Sequence, residues 1–396
     1  MKRTKALSKK PAMSNRDPQL LSPYDQEVLK QVAQCGGFYN AHTHLCRADT
    51  LEGKFLEHID LTPLEASSQP LAVKQNFVGD YHRGIAYTEK NLRERMRGTI
   101  TRLIAYGTTR VDTNIDATPD LPEDGLLAIR VANELKVEFA KRITIRIAPT
   151  PIFGLKKGTQ RWDVFKEASR VSDYLSLLPE KDDYTYEADR DGKVGFKHHI
   201  RMGVELACEL GKEVQFHLDQ MNVPGERGTE RMLEVLEGLD QPTLLGDEPS
   251  VWVIHMISPS AYEEERFARL VDLLLKQNVG VIVCPTAAVS MRQLRSLQAP
   301  LHNSIARVLE LIKRKVPIRI GTDNISDVFV PPSDGDMLTE IKMAANATRM
   351  NHPSIWVKLA SGTPLNNVDI ATVGRYLYED RKACMGANPA WQPGIE

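Results

Sequence analysis

Gly37-Phe38-Tyr39-Asn40-Ala41-His42-Thr43-His44 reads as a short strand, Gly37 to Asn40, that runs straight into a His-x-His pair. Residues i and i+2 of an extended chain lie on one side, so His42 and His44 can both face inward and bind one cation through neutral imidazoles. Alone the pair is weak, because ten histidines in 396 residues give a His-x-His by chance roughly one time in four. Its weight comes from what stands at the ends of the other strands.

Seven further segments rich in β-branched residues read as strands: Arg110–Ile115, Arg142–Pro149, Tyr174–Leu178, Glu213–Asp219, Val251–Ile257, Val279–Cys284 and Pro317–Thr322. Segments of helical period alternate with them: Asn91–Tyr106, Gly125–Lys141, Arg161–Val171, Phe196–Leu210, Glu226–Leu239, Ala261–Gln277 and Ser304–Lys315. Eight strands in near-strict alternation with helices predict an α/β fold of the closed (β/α)8 TIM-barrel type rather than an open doubly wound sheet. No Gly-x-Gly-x-x-Gly or phosphate loop opens any helix, which argues against an open-sheet nucleotide-binding protein. His42 and His44 end the first strand, His217 and Asp219 the fifth, His255 the sixth, and Asp323 follows the eighth. Barrel active sites lie at the C-terminal strand ends, so four strands deliver imidazoles and carboxylates to one rim. Each residue alone reads equally well as a hydrogen-bonded core histidine, a turn residue or a helix cap; their shared position points to a site.

The composition, 42% hydrophobic and 26% charged with 51 basic against 52 acidic residues, suits one globular protein with a small-molecule substrate. It offers no bulk field for nucleic acid or an anionic membrane. Residues 1–20, with Lys2, Arg3, Lys5, Lys9, Lys10 and Arg16, read as a disordered basic tail rather than a signal peptide, since no apolar run follows the charges. Residues 21–396 read as a single barrel whose first βα loop, about 48–90, is long enough to be a lid or binding loop. Five scattered cysteines with no Cys-x-x-Cys make the cytoplasm the default compartment, and no apolar stretch approaches membrane-spanning length. The segment Ile370–Glu396 reads as a short helix and a tail. His198-His199 reads as an exposed helix start, His58 and His82 as solvated loop histidines, and Cys46 as a packed thiol near the rim.

His42-Thr43-His44-Leu45, His217, His255 and Gly321-Thr322-Asp323-Asn324, with Ala105-Tyr106-Gly107-Thr108-Thr109, Asp327 and Gly335-Asp336-Met337-Leu338, resemble the amidohydrolase superfamily, in particular its branch of cytosine deaminases and N-isopropylammelide amidohydrolases. The resemblance spans about residues 35–350. It implies that His42, His44, His217 and Asp323 ligate one divalent metal, zinc first and iron second, with His255 beside the attacking water. It further implies hydrolysis of a non-peptide C–N bond, with deamination of a small nitrogen heterocycle foremost and opening of a cyclic or linear amide as the alternative; a homodimer is common among such barrels.

Three departures matter. No lysine ends the fourth strand, which speaks against the two-metal version with a carbamylated lysine. The family's His-x-x-Glu is here His217-Leu218-Asp219-Gln220, and a glutamine cannot shuttle a proton. Asp219, on the inward parity of His217, becomes the expected proton carrier beside Asp323 and His255, while Gln220 keeps the alternative of a catalytically dead, ligand-binding barrel open. Third, Ile152-Phe153 stands where a cytosine deaminase has its base-reading glutamine. Arg47, Gln220, Asn324 and Phe153 are the expected substrate contacts, with Arg47 able to clamp a carbonyl or carboxylate. The small β-sandwich of many relatives is not evident in this chain.

Overall fold

A computed structural model describes residues 16–183, 192–290 and 304–387. Most of the expected basic tail falls outside them. Of that tail, residues 16–20 are described: Arg16 pairs with Asp336 and lies over the Tyr106 ring, and a short 3-10 turn covers Pro18–Leu20.

Eight strands run in chain order: β1 (Phe38–Thr43), β2 (Thr108–Asp116), β3 (Thr144–Thr150), β4 (Leu175–Leu177), β5 (Val214–Leu218), β6 (Val251–His255), β7 (Val279–Val283) and β8 (Ile318–Ile320). They pair in parallel as β1-β2-β3 and as β4-β5-β6-β7-β8. Two seams join these sheets. The Asp173 and Tyr174 amides donate to Ile147 O at 2.7 and 3.4 Å, and the Asp323 amide donates to His42 O at 2.9 Å beside a parallel Thr43–Asp323 bridge. The result is a (β/α)8 barrel, and among the described residues no strand lies outside it.

The helices are α1 (Pro23–Gln34), α2 (Pro63–Ser67), α3 (Leu71–Arg83), α4 (Glu89–Ala105), α5 (Leu127–Phe139), α6 (Arg161–Arg170) and α7 (Phe196–Leu210). After β5 come α8 (Gly228–Leu236), α9 (Glu264–Lys276), α10 (Pro285–Val289), α11 (Val308–Lys313), α12 (Met337–Thr348), α13 (Pro353–Ser361) and α14 (Asn367–Ala387). The strands are apolar runs because both faces are covered. On β6, Val251 and Val253 pack against the helices, while Trp252 and Ile254 join the inner cluster with Ile282 of β7. Gly280 leaves room for the Trp252 ring, since a Cβ there would lie 2.3 Å from it.

Three differences from the sequence reading concern helices. The segment 48–90 carries α2 and α3 instead of a bare loop. A 21-residue α14 replaces the short helix expected at the C-terminus. Helices α1, α10, α12 and α13 were not expected; α13 packs on α1 and against β1 and β8, over one seam of the barrel.

Candidate metal centre and substrate pocket

Four strand ends bring the expected ligands together. His42 lies within β1 and faces the barrel interior, and His44 follows just beyond the strand. Gly321 lets β8 approach that closely: a Cβ there would lie 2.6 Å from the His42 amide nitrogen and 2.7 Å from its Cβ. His255 needs a different device. Its neighbour Ile254 already faces inward, so simple alternation would send His255 to the helical side. Positive φ angles of 79° at His255 and 48° at Met256 end the alternation, and the imidazole joins the others. Asp323 likewise has φ 62°. Such left-handed conformations are costly for residues with a Cβ and concentrate at functional sites.

The geometry is compact. Asp323 Oδ1 lies 3.2 Å from His44 Nε2 and 3.4 Å from His42 Nε2, and Asp323 Oδ2 lies 3.8 Å from His255 Nε2. The His42 ring centre is 4.9, 5.0 and 5.8 Å from those of His44, His217 and His255. His217 Nδ1 lies 3.2 Å from Leu177 O; donating its proton there leaves Nε2 as the free ligand atom. Burial holds His44, His217 and His255 below the ordinary imidazole range, to about 3 for His44, where Arg47 adds to the effect, and about 4 for His255. These rings are neutral at pH 7, as metal ligands must be. Burial would raise the Asp323 carboxyl, but the imidazoles of His42, His44 and His255 close around it hold it well below the usual range.

A divalent cation fits this donor set. His42 Nε2 is buried without a hydrogen-bond partner, and the two groups His42/His44/Asp323 and His42/His217/His255 each present ligand atoms within 4.8 Å of one another. One contact must change on loading. Arg47 lies 2.5 Å from His44 Nδ1, and a guanidinium only donates. Ligation through His44 Nε2 puts the ring proton on Nδ1, so that contact would have to open.

Above the histidines lies a narrow pocket, open to solvent and lined by Arg47, Gln220, Asn324 and Asp323 among others. Three expected substrate contacts are therefore at the pocket, although the Asn324 amide already donates to Asp327. The fourth, Phe153, is not. Strand β3 ends at Thr150 and the chain turns through Pro151–Gly154, with Gly154 at φ 76°. Ile152 takes the wall, and Phe153 packs against His82 and Arg161 in a separate cleft.

Asp219 is also displaced from its expected role. Strand β5 ends at Leu218, and φ 57° at Asp219 breaks the parity with His217. Its carboxylate accepts from the amides of Gly228 and Thr229 at 2.6 and 2.8 Å and from the Thr229 hydroxyl, at the start of α8. It does not line the pocket. Its own amide donates to Glu180 at 2.8 Å, and Gln220 Nε2 donates to the same glutamate at 3.2 Å.

Histidine readings change too. His199 is buried and paired with Asp182 at 2.7 Å, so only His198 is an exposed helix-start residue. His82 is buried on α3, 2.6 Å from Asp120 and 3.3 Å from Asp116. Burial would lower its pKa, but the hydrogen bonds to Asp116 and Asp120 raise it. Asp116 lies 3.5 Å from Arg47 and also accepts from the Tyr87 hydroxyl, so His82 stands behind the residue that holds Arg47.

Sequence reading missed Lys74, a buried lysine of α3 in the pocket wall. A signal existed: Leu71, Lys74, Val78 and Tyr81 repeat at helical spacing, which puts a charge on the apolar face.

No family model matches the chain. It is similar to an uncharacterized protein from Haemophilus influenzae, 25% identical over 289 residues, which are 72% of this chain and 94% of that one. Among solved structures it is similar to 5-methylcytosine deaminase from Klebsiella pneumoniae liganded with 5-fluorocytosine: TM-score 0.67, 21% identity, 82% of this chain and 72% of that one. It is similar also to N-isopropylammelide isopropylaminohydrolase from Burkholderia multivorans: TM-score 0.61, 17% identity, 86% of this chain and 75% of that one. Both solved proteins fall in the branch that the motif residues resemble, and at these identities the likeness shows a shared fold.

Proposed function

We propose that this chain is a metal-dependent hydrolase that deaminates a small nitrogen heterocycle, water and an amino-substituted ring carbon giving a ring carbonyl and ammonia. The observation that carries the reading is the convergence of His42, His44, His217 and Asp323, with His255, at the floor of one pocket on the C-terminal rim. Their N/O donor set suits zinc first and iron second. A bound divalent ion would lower the pKa of a water from about 16 toward about 7. Asp323 takes the attacking water's proton and, with Asp219 committed to α8, passes it to the leaving nitrogen. His255 stabilises negative charge developing on the attacked carbon's oxygen. Arg47 and Gln220 orient the ring. The substrate is a small molecule, and a homodimer is the assembly we expect.

Elemental analysis together with a screen of amino-heterocycles tests this. The expected result is about one zinc or iron per chain and release of ammonia from at least one compound. A metal-free protein that gains no stability from added zinc would sink the assignment. A second reading has a specific observation behind it: Asp323 is the only carboxylate among the described residues lining the pocket. Opening of a cyclic amide needs no separate acid for a ring nitrogen, so products that gain water without losing ammonia would favour it. Full metal occupancy with turnover of neither class would favour the binding-module reading that Gln220 suggests.

A further inference from the structure

Lys74 is 3% exposed and is one of the residues that line the candidate metal pocket. Its one hydrogen bond goes to the Phe329 carbonyl at 3.3 Å, and among the described residues no carboxylate lies within 4 Å of it. The nearby acids are committed elsewhere. Asp327 accepts from the Asn324 amide and from the Phe329 and Val330 backbone at 2.8 and 3.1 Å; Asp323, the other acid that acts on Lys74, faces His42, His44 and His255. The same phenyl ring brings the two pocket cations together: Lys74 Nζ lies 5.8 Å and Arg47 Cζ 5.3 Å from the Phe329 ring centre. A buried ammonium with two unfilled donor positions is costly, and a ligand that supplies acceptors recovers that cost on binding.

We propose that the substrate carries an anionic oxygen, received by Lys74 and Arg47 at the Phe329 side of the pocket while its C–N bond faces Asp323 and His255. The proposal rests on the hydrolase reading for the reacting end, but the charge preference is a property of the wall. An exocyclic carboxylate and an ionised ring oxygen share this chemistry. A ring-only neutral substrate leaves Lys74 unsatisfied.

The test uses zinc-loaded full-length protein and binding, not turnover. Thermal shift and calorimetry compare pyrimidine-2-, -4- and -5-carboxylate, each with its carboxamide, and cyanuric acid, whose ring oxygens ionise near neutral pH. At least one anion is expected to bind, with its neutral partner on the order of 10–100-fold weaker. A carboxylate hit names the exocyclic source, and a cyanurate hit names the ring oxygen. Lys74→Met should remove that preference, Lys74→Arg should retain most of it, and added salt should weaken binding of the anion only. Equal binding of carboxylates and carboxamides, no binding by any anion, or an unchanged preference in a folded Lys74→Met or Lys74→Gln protein would overturn the proposal. Failure of the hydrolase reading looks different: anions bind in a Lys74-dependent way, yet no amine or amide is hydrolysed.

Discussion

The two ends of the barrel interior treat charge in opposite ways. Toward the N-terminal ends of the strands, Arg146 pairs with Asp112 at 2.7 Å and with Glu213 at 3.4 Å, Arg319 pairs with Glu213 at 3.1 Å and with Glu248, and Tyr39 donates to Asp112 at 2.7 Å. Arg319 also stacks 3.7 Å over Trp252. Arg146 and Arg319 there each have two acidic partners. At the rim, three imidazoles face the one carboxylate of Asp323 at 3.2 to 3.8 Å, His42 Nε2 and His255 Nδ1 have no hydrogen-bond partner, and Lys74 has only a carbonyl. Buried polar groups are normally satisfied. Asp112, Glu213, Arg146 and Arg319 at the base are all ion-paired and read as structure, although Asp112 Oδ1 and Gln215 Oε1 lack a hydrogen-bond partner; at the rim the unmet groups are imidazole nitrogens and an ammonium, where a metal and a ligand would supply what is missing.

Removing one group from each end should therefore damage different properties. His217→Ala is expected to have the largest effect of all: metal content and turnover both fall to background, because one of four expected ligands is lost. Full metal occupancy in that variant would refute the centre. Glu213→Gln, at the base, should lower unfolding free energy by about 3 kcal/mol in a urea titration, as breaking a buried ion pair does, while metal content stays at the wild-type level. If Glu213→Gln lost metal without losing stability, the division between the two ends would be wrong.

Arg47 lies on the border, buried and held by Asp116 yet exposed to the pocket. Arg47→Lys loses the planar fork that reaches Asp116 and the pocket together, so the Michaelis constant for the best substrate should rise about tenfold with metal retained. An unchanged Michaelis constant and turnover number would reduce Arg47 to a structural ion pair.

The barrel and the meeting of His42, His44, His217 and Asp323 at one rim were legible in the sequence because both rest on local signals: apolar runs in strict alternation with helices, and His or Asp at their ends. What was not legible depended on single backbone angles or on distant partners. Strand parity led to Asp219 as a pocket acid, and one positive φ after Leu218 undid it. The turn at Gly154 similarly exchanged Phe153 for Ile152. His82 and His199 carry no local mark of burial; their partners Asp116 and Asp182 come from other segments of the chain. Lys74 was hidden by the reading of 48–90 as a loop, although its place in an apolar stripe was there to be seen.

The smallest expected effect belongs to Asp219, and it is the sharpest test of where the rim ends. A proton carrier changed to asparagine should lose on the order of 10²–10⁴ in turnover with metal retained. The carboxylate instead caps the start of α8 through Gly228 and Thr229, and asparagine keeps one of its two acceptor oxygens. Loss of the negative charge at a helix N-terminus costs roughly 0.3–1 kcal/mol. Against this, the change removes one of three acidic groups, Glu180, Asp219 and Glu226, that lie within 4.8 Å of one another, and burial already drives the carboxyl of Glu180 up to about 8 with Asp219 adding to it. Asp219→Asn should therefore shift stability by no more than about 1 kcal/mol and leave turnover within a few-fold of wild type. A drop of a hundredfold or more with metal still bound would return Asp219 to the catalytic group and require its side chain to leave α8 when substrate binds.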